Sequence, residues 1–291
     1  KASATDLAEL IGAGVTISGA GSVVIAKYAG QDISTLTDAG IKLTLDIDGT
    51  DISLTTAKLG DDLSKIVAIK VAASTSVDLT ADLASTLASR FGSENDTYGE
   101  LKISGYTSQD LSPIDHDFIV NVTSTAEGSI TLDPAKLVDV DKLSISKSTN
   151  ASITADASGF ASLTDSGSLV IEDTVVNNVR TAGSLSLSQV NAKLLENKLA
   201  GTGDLVISGL TSDVDLSSLS SSLNVQGTLV DQSDNALSIA DAKLSGVDEL
   251  TVLGGDVLTV SSASSTNLSQ LKKINLQDGA SLVIEESSKI S

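Results

Sequence analysis

The sequence lacks the residues that carry most redox and cofactor chemistry. Its 291 residues include no cysteine, methionine or tryptophan, and only one histidine. Without cysteine the chain has no disulfide, no thiolate metal ligand and no thiol nucleophile. Only three phenylalanines and three tyrosines are present, so leucine, isoleucine, valine and alanine must fill the core. Such small side chains suit thin, regular layers better than one thick globular centre.

Basic residues are also scarce, and the chain is therefore strongly acidic. Lysine and arginine total 18 against 38 aspartates and glutamates, giving a net charge of −20 that is spread along the whole length. A surface of this sign repels phosphate backbones, so no nucleic-acid partner is expected. The same acidity provides many weak places for divalent cations.

Long apolar runs are missing as well. None approaches the ~18 residues that a membrane-spanning helix needs, so we expect no membrane insertion. Apolar residues nevertheless make up 41% of the chain, which is enough to fill a core and excludes a disordered tail. The first residue is Lys1 rather than methionine, so we expect a mature form or a segment of a longer protein.

A repeated Ala-Lys-Leu motif is the most informative pattern present. It begins at Ala57, Ala135, Ala192 and Ala242, and these spacings are close to multiples of roughly 26 residues, a length typical of one unit in a repeat array. Strand-like alternation precedes each motif, and a second strand-like run follows it. The pattern predicts a mainly β fold, an elongated β-solenoid or β-helix-like array with short helical or 3₁₀ turns between strands and a coil of about 24–28 residues.

The rhythm of the repeats divides the chain into three regions. Residues 1–90 form an N-terminal repeat region and residues 129–291 a C-terminal one. Residues 91–128 interrupt the rhythm and hold four of the six aromatic residues, which favours an irregular insertion or a loop-containing region. One continuous solenoid over residues 1–291 is the alternative.

A cluster of aspartates is the candidate metal site. Asp46, Asp48 and Asp51 surround Gly49 in a D-x-D-G-x-D spacing, which could wrap carboxylates round Ca²⁺ while glycine permits a sharp turn. The downstream bidentate glutamate of an EF-hand loop is missing. We take these three aspartates as candidate Ca²⁺ ligands, with a solvated turn as the alternative.

No catalytic or cofactor-binding residue is predicted. His116 lies between Asp115 and Asp117 in a serine-rich chain, but no G-x-S-x-G nucleophile elbow accompanies it. We therefore interpret it as an exposed loop histidine. Acidic clusters serve some β-helix enzymes that act on polysaccharides, but their clefts usually carry aromatic rings, which are rare here. The sequence thus favours a protein that is not an enzyme.

The composition of the whole chain resembles that of prokaryotic surface-layer proteins and giant secreted repeat adhesins. The shared features are the absence of cysteine, the acidity, the abundance of Ser, Thr, Ala, Leu and Asp, and degenerate repeats such as ITLDPAKLVDVDKLSIS from Ile130. The resemblance implies an extracellular, cell-surface structural protein whose copies associate laterally into a lattice, often held by Ca²⁺. It also admits a cell-surface glycan as a partner.

Two other functions stay open from the sequence. The chain could be the stalk or ligand-binding module of a secreted adhesin that contacts glycan, ice or a host protein, and regular T-x-T ladders would support that function. Such ladders do not recur in strict register along this sequence. The third alternative is a polysaccharide-active enzyme on a β-helix scaffold.

Overall fold

Parallel strand pairing dominates the structure, a computed structural model of the chain. The fold is mainly β with several parallel sheets, as the sequence predicts. The structure describes residues 2–3, 6, 9–10, 17, 19, 21–93, 98–124, 127–160, 163, 168–211, 215–229, 236–239, 246–261 and 271–285. The chain divides into two compact units: unit 1 contains Lys1–Ser124, Ala135–Leu143 and Phe160–Ser162, and unit 2 contains Thr125–Pro134, Ser144–Gly159 and Leu163–Ser291.

Unit 1 is built on two parallel sheets. Its strands are β1 (Ala2–Ser3), β2 (Ser22–Tyr28), β3 (Lys42–Ile47), β4 (Ile52–Ser53), β5 (Ile66–Val71), β6 (Ser76–Thr80), β7 (Phe91–Ser93), β8 (Glu100–Ser104) and β9 (Ile119–Ser124). One sheet has the order β1-β2-β3-β5-β7, and the strands of the other follow the order β9-β8-β6-β4. From β3 to β8 the chain alternates between the two sheets, so each strand from β5 to β8 pairs with the strand two places earlier.

Short helices connect the strands of unit 1. They are α1 (Ser34–Asp38), α2 (Thr56–Leu59) and α3 (Ala81–Leu87), with 3₁₀ turns at Leu63–Lys65 and Ala88–Arg90. The α3 helix begins where the Thr80 hydroxyl accepts a hydrogen bond from the backbone N–H of Leu83, an N-terminal cap that satisfies one otherwise unpaired donor. Its buried face consists of Ala81, Leu83, Ala84 and Leu87.

Residues 91–128, set apart by the sequence, hold β7, β8 and β9. The β8 strand pairs in parallel with β6 and with β9. Two edge-to-face ring contacts occur here, with ring centroids 6.2 Å apart for Phe91 and Phe118 and 5.1 Å apart for Tyr98 and Phe118. Phe118 is buried, so these aromatic rings serve as core packing.

Unit 2 contains a parallel sheet of seven strands. Its strands are β10 (Gly128–Thr131), part of β11 (Lys142–Ile145), β12 (Thr149–Ile153), β13 (Leu169–Ile171), β14 (Asp173–Val176), β15 (Val179–Ala182), β16 (Ser184–Ser188), β17 (Leu199–Gly201), β18 (Asp204–Leu210), β19 (Asn224–Leu229), β20 (Ala236–Ile239), β21 (Glu249–Val252), β22 (Val257–Ser261), β23 (Lys273–Leu276) and β24 (Ser281–Glu285). The large sheet has the order β10-β12-β16-β18-β19-β21-β23, and a second sheet has the order β20-β22-β24. β13 pairs in parallel with β17, whereas β14 and β15 form an antiparallel hairpin. The helix α4 (Gln189–Leu195) follows β16, and 3₁₀ turns lie at Pro134–Lys136 and Ala157–Phe160.

Apolar side chains stack in ladders across the sheets. Leu185 pairs with Leu205, and Leu205 pairs with Val225; all three are buried. Alternate residues point to the other face because successive side chains of a strand point in opposite directions. Burying each leucine fully contributes about 1.5–3 kcal/mol relative to leaving it exposed.

The predicted coil length of 24–28 residues is wrong for most steps between paired strands. The step is 20 residues from Leu185 to Leu205 and again to Val225, whereas it is 24 from Val77 to Leu101. The longest step, from Ala151 to Leu185, contains the β14–β15 hairpin. Only the strand positions must repeat to keep a ladder in register, and the loops between them tolerate length changes. The predicted length came from the spacings between distant copies of the Ala-Lys-Leu motif, and such spacings average over steps of different length.

The Ala-Lys-Leu motif marks short helical turns, as predicted. Its first copy lies in α2, its second in the 3₁₀ turn Pro134–Lys136 and its third in α4. The fourth copy, from Ala242, lies outside the described residues. The motif leucines of the first two copies, Leu59 and Leu137, are fully buried. The motif leucine thus anchors the turn to the core in these copies.

We predict that Gly201→Ala destabilises unit 2. Gly201 has a φ of +109°, and an added Cβ would lie 2.0 Å from the carbonyl oxygen of Ile171 on the paired strand. Strain and overlap together should lower the free energy of unfolding by about 2 kcal/mol or more, which urea denaturation measures. Gly92→Ala is the control, because an added Cβ there meets nothing within 4 Å. Equal unfolding midpoints for the two variants would contradict the prediction.

Candidate functional site

The three predicted Ca²⁺ ligands lie at the end of β3 and in the turn after it. Asp46 is buried within β3, whereas Asp48 and Asp51 are exposed. The Asp51 carboxylate lies 3.5 Å from the ammonium group of Lys102. Among the described residues, the ligand atoms that lie within 4.8 Å of one another belong to Asp115, His116 and Asp117 and not to these three aspartates. The role of Asp46, Asp48 and Asp51 as Ca²⁺ ligands stays a prediction.

His116 lies in a different acidic group. Asp115, His116 and Asp117 offer ligand atoms that all lie within 4.8 Å of one another. His116 Nδ1 is 3.3 Å from an Asp115 carboxylate oxygen, and His116 Nε2 is 3.4 Å from one of Asp117. The histidine side chain is 72% exposed. Because both ring nitrogens face carboxylates, neither is placed to activate a serine hydroxyl, and the interpretation as an exposed loop histidine holds.

Many other aspartates have a structural use that the sequence reasoning missed. In five Asp-x-Ser corners, a carboxylate oxygen accepts a hydrogen bond from the backbone N–H of the serine two residues later, over 2.9–3.2 Å. The aspartates are Asp32, Asp62, Asp110, Asp156 and Asp215. The residue between is apolar in each corner, and at Ile33, Leu111, Ala157 and Leu216 it is buried. The recurring D-I-S, D-L-S and D-A-S triplets were the sequence signal from which these corners could have been predicted.

The corner geometry changes the acidity of three of these aspartates. Hydrogen bonds from Ser34, Ser64 and Ser112, first from the hydroxyl and also from the backbone N–H, lower the pKa values of Asp32, Asp62 and Asp110 respectively. A hydrogen bond to the ionised form favours that form. These carboxylates thus stay charged while they fix the turn.

A second structural use is a clamp on strand register. The carboxylate of Asp141 accepts a 2.7 Å hydrogen bond from Val120 N–H, while the Asp141 N–H donates to the Val120 carbonyl over 3.0 Å. Asp248 makes the same two bonds with Val225, at 2.8 and 2.9 Å. Both aspartates begin the second strand-like run of their repeat. The aspartates that follow the second and fourth motif copies therefore fix register, because a slip of one residue would break both bonds.

The β14–β15 hairpin presents an apolar tip. Asn177 and Asn178 both have positive φ values, 52° and 64°, as a two-residue type I′ hairpin turn requires. Val175, Val176 and Val179 are 62%, 59% and 65% exposed, and we call these three residues the hairpin tip. Val176 and Val179 are directly opposite each other across the hairpin.

A charged network fixes the base of this hairpin. The Arg180 guanidinium donates to Asp173 at 2.8 Å, to Asp204 at 2.6 Å and to the Thr202 carbonyl at 2.8 Å. The Thr202 hydroxyl donates to the other oxygen of Asp173 at 2.5 Å. The network thus ties both hairpin strands to the chain segment that enters β18.

The network also shifts the acidity of its members. Hydrogen bonds from the Thr202 hydroxyl and then from Arg180 lower the pKa of Asp173. Partial burial alone would lower the pKa of Arg180, but its bonds to Asp204 and Asp173 outweigh that effect and raise it. Both groups are therefore held in their charged forms.

A second apolar patch lies on α4. Val190 is 73% and Leu194 49% exposed, and as residues i and i+4 they share one side of the helix; we call this pair the α4 face. The opposite side is buried at Asn191, Ala192 and Leu195. The Asn191 side chain accepts from Ala157 N–H at 3.1 Å and donates to the Ala155 carbonyl at 2.8 Å. These buried hydrogen bonds fix the orientation of the helix.

Comparison of the chain with protein-family models, curated proteins and solved structures finds no match. No helix in the part of the chain that the structure describes is long and apolar enough to cross a membrane. The candidate site therefore rests on its own geometry. Its residues are the hairpin tip, the Arg180 network and the α4 face, none of which sequence reasoning had selected.

We predict that acid weakens unit 1 through the Asp-x-Ser corners. The folded pKa values of Asp32, Asp62 and Asp110 lie below the unfolded value of about 3.9. Their stabilisation is therefore present above about pH 4 and is lost as pH falls through the folded pKa values. Thermal unfolding of wild type between pH 6 and pH 3 should show a falling Tm. The triple variant Asp32→Asn, Asp62→Asn, Asp110→Asn should show a flatter profile.

The control for this experiment removes the same charge elsewhere in unit 1. Asp38→Asn, Asp48→Asn and Asp61→Asn replace three exposed aspartates that belong to no Asp-x-Ser corner. This triple variant should keep the wild-type dependence of Tm on pH. If both triple variants flatten the profile equally, general charge repulsion rather than the corners sets the acid sensitivity.

We predict that Arg180→Met loosens the hairpin without unfolding unit 2. The variant keeps a long apolar stem but leaves Asp173 and Asp204 without their shared cation, at a cost of about 1 kcal/mol. Hydrogen exchange of the amides of residues 174–182 should accelerate, while that of β18 changes little. Lys193→Met is the control, because Lys193 pairs with Glu196 outside the hairpin. Unchanged exchange in the Arg180 variant would show that the network does not hold the hairpin.

Proposed function

We propose that this chain is a non-enzymatic, structural segment of a prokaryotic cell-surface protein, and that its copies associate laterally into an extracellular lattice. In this proposal each unit is a β-solenoid. The observation that supports it is the alternation of the chain between two parallel sheets, as from β3 to β8 and from β20 to β24. A chain that adds one strand to each sheet per repeat advances as a coil.

The use of the side chains supports a structural role. Leucine, isoleucine and valine form the buried ladders, whereas aspartates are used in corners and register clamps. An enzyme on such a scaffold would need acidic or basic groups that converge in a cleft. The converging group among the described residues, Asp115 to Asp117, is a run of consecutive residues in which Asp115 is half-buried and the other two are exposed, which favours the structural alternative.

Electrostatics gives the lattice a requirement for counter-charge. Two copies that each carry a net charge of −20 repel one another at low ionic strength. Divalent cations that bind between exposed carboxylates would reduce this repulsion. Ca²⁺ is therefore proposed as an assembly factor, with its ligands drawn from exposed acids such as Asp48 and Asp51 on neighbouring copies.

A ligand-binding module of an adhesin is the alternative, and the polar surface of unit 2 that would serve it is the large sheet. Small polar side chains form a row across the large sheet in the paired order Ser129, Asn150, Ser184, Asp204 and Asn224. Ser184 donates to Asn150 at 2.8 Å, and Asn224 donates to Asp204 at 2.8 Å. Because these groups already bond to one another, they have fewer free donors for a glycan, and the row lacks the regular threonines expected of an ice-binding face.

Cation-dependent assembly tests the proposal. We expect purified chain in millimolar Ca²⁺ to form ordered sheets or filaments, seen by light scattering and negative-stain electron microscopy, that dissolve on chelation. Mg²⁺ at the same concentration controls for general screening and should be less effective, because it releases its bound water less readily. Monomers under all conditions would reject lattice formation and direct the search to binding of a glycan array.

A further inference from the structure

We propose that the hairpin tip of one copy docks on the α4 face of a second copy, forming a head-to-tail contact through unit 2. This inference rests on the proposed function and names the surface by which the copies associate. It needs no metal at the contact itself. Both patches are exposed, lie on either side of one strand, and belong to a segment with few acidic residues.

The two patches cannot cover each other within one chain. The hairpin ends at Ala182, and α4 begins at Gln189, so β16 separates them. A strand of five residues is roughly 16 Å long. All five side chains of the hairpin tip and the α4 face are 49–73% exposed although both patches are present in the same unit. Their apolar surface is therefore available to a partner.

The exposure of Leu194 departs from the repeat. In the first two copies of the Ala-Lys-Leu motif the leucine is fully buried, at Leu59 and Leu137, whereas in the third copy Leu194 is 49% exposed. Leu195 is buried beside it and supplies the core contact. The third copy thus has two adjacent leucines, and its core uses Leu195 instead of the motif leucine Leu194. Exposed leucine next to exposed valine is typical of an interaction surface.

Charge favours a second copy as the occupant. Between Asp173 and Asp204 the chain carries Arg180, Lys193 and Lys198 but only one acid, Glu196, and Glu196 pairs with Lys193 at 2.8 Å. The rest of the chain is strongly acidic, so the repulsion between two copies is smallest where these segments meet. The exposed Glu172 at the hairpin base and Lys193 beside the α4 face also have opposite charge.

The rigidity of the hairpin lowers the cost of docking. The Asn177–Asn178 turn and the Arg180 network hold the tip before a partner arrives, so less conformational entropy is lost on binding. Five apolar side chains form a contact well below the ~800 Å² per partner of a standard interface. A single contact is therefore weak, and assembly depends on many contacts acting together.

The contact has a defined symmetry. Tip and α4 face are different surfaces, so each copy can use its tip on one neighbour and its α4 face on another. A heterologous contact of this kind propagates into a chain or closes into a ring, whereas a tip-to-tip contact would stop at a dimer. This difference distinguishes the proposal from other modes of self-association.

Sedimentation velocity of two variants and their mixture tests the symmetry. Val176→Asp disables the tip, and Leu194→Asp disables the α4 face; both positions are exposed, and circular dichroism verifies the fold. Wild type at rising concentration should grow beyond dimers, and each variant alone should associate roughly tenfold more weakly. An equimolar mixture should recover dimers only, because one intact tip meets one intact face. Wild-type growth by both variants alone would overturn the proposed surface.

Disulfide trapping gives an independent readout because the chain has no native cysteine. A chain carrying both Val176→Cys and Leu194→Cys should give, on mild oxidation, a ladder of covalent oligomers on a denaturing gel. Val176→Cys with Val283→Cys is the control, since Val283 is also exposed but lies outside the contact, and it should give no ladder. Dimers from Val176→Cys alone would indicate tip-to-tip contact and overturn the head-to-tail proposal.

The outcomes separate this inference from the proposed function. If wild type and both aspartate variants form the same Ca²⁺-dependent lattice and the cysteine pair gives no ladder, the surface is wrong but the structural role stands. If wild type forms neither lattice nor oligomer with or without Ca²⁺, both fail. A ladder without a Ca²⁺ effect would support the contact and reject the cation requirement.

Discussion

In-register parallel pairing is the constraint on which the rest of this structure depends. Each strand pairs with neighbours about 19–25 residues away at most steps, as between Leu101 and Val120 or between Ile52 and Val77. A slip by one residue would turn every buried leucine to the outside. Register therefore has to be fixed at the strand ends, and that requirement explains the clamps of Asp141 and Asp248, whereas the aspartates of the corners fix the connections. The acidity of the chain is partly a consequence of this architecture.

The same constraint does not restrict the length of the connections between strands. A loop can lengthen without disturbing the ladders, provided that the next strand returns to its register. The step from Ala151 to Leu185 shows the result, because the β14–β15 hairpin is accommodated there while Ala151 and Leu185 still pair. The Arg180 network then ties the added segment to the array. Specialised surfaces on such a fold are thus expected at the connections rather than on the sheets.

The sequence predicted those features that repeat. The Ala-Lys-Leu motif marked helical turns because its leucine must reach the core, and strand-like alternation marked the β content. The number of residues between paired strands was not predictable, because the described motif copies lie several strands apart. The role of Asp46, Asp48 and Asp51 as Ca²⁺ ligands stays a prediction; β3 buries Asp46, while the turn after it exposes the other two. Spacing along a chain specifies proximity only when the backbone keeps all the residues on one side.

The candidate interaction site was hidden from sequence reasoning for a related reason. The V-V-N-N-V run does carry a local signal, since two asparagines tolerate the positive φ values of a type I′ turn. The Arg180 network that anchors the hairpin carries no local sequence signal, because Arg180 and Asp204 are 24 positions apart in the chain. The exposure of Leu194 could not be predicted either. Two adjacent leucines in a helix are both expected in the core, and only the structure shows that the core uses Leu195. What distinguishes this segment is an excess over what folding needs: four exposed valines and one exposed leucine, Leu194, that its core does not use. Apolar side chains that contribute nothing to their own core are a liability in an isolated chain, and their presence on rigid elements is the observation that the proposed contact between copies would account for.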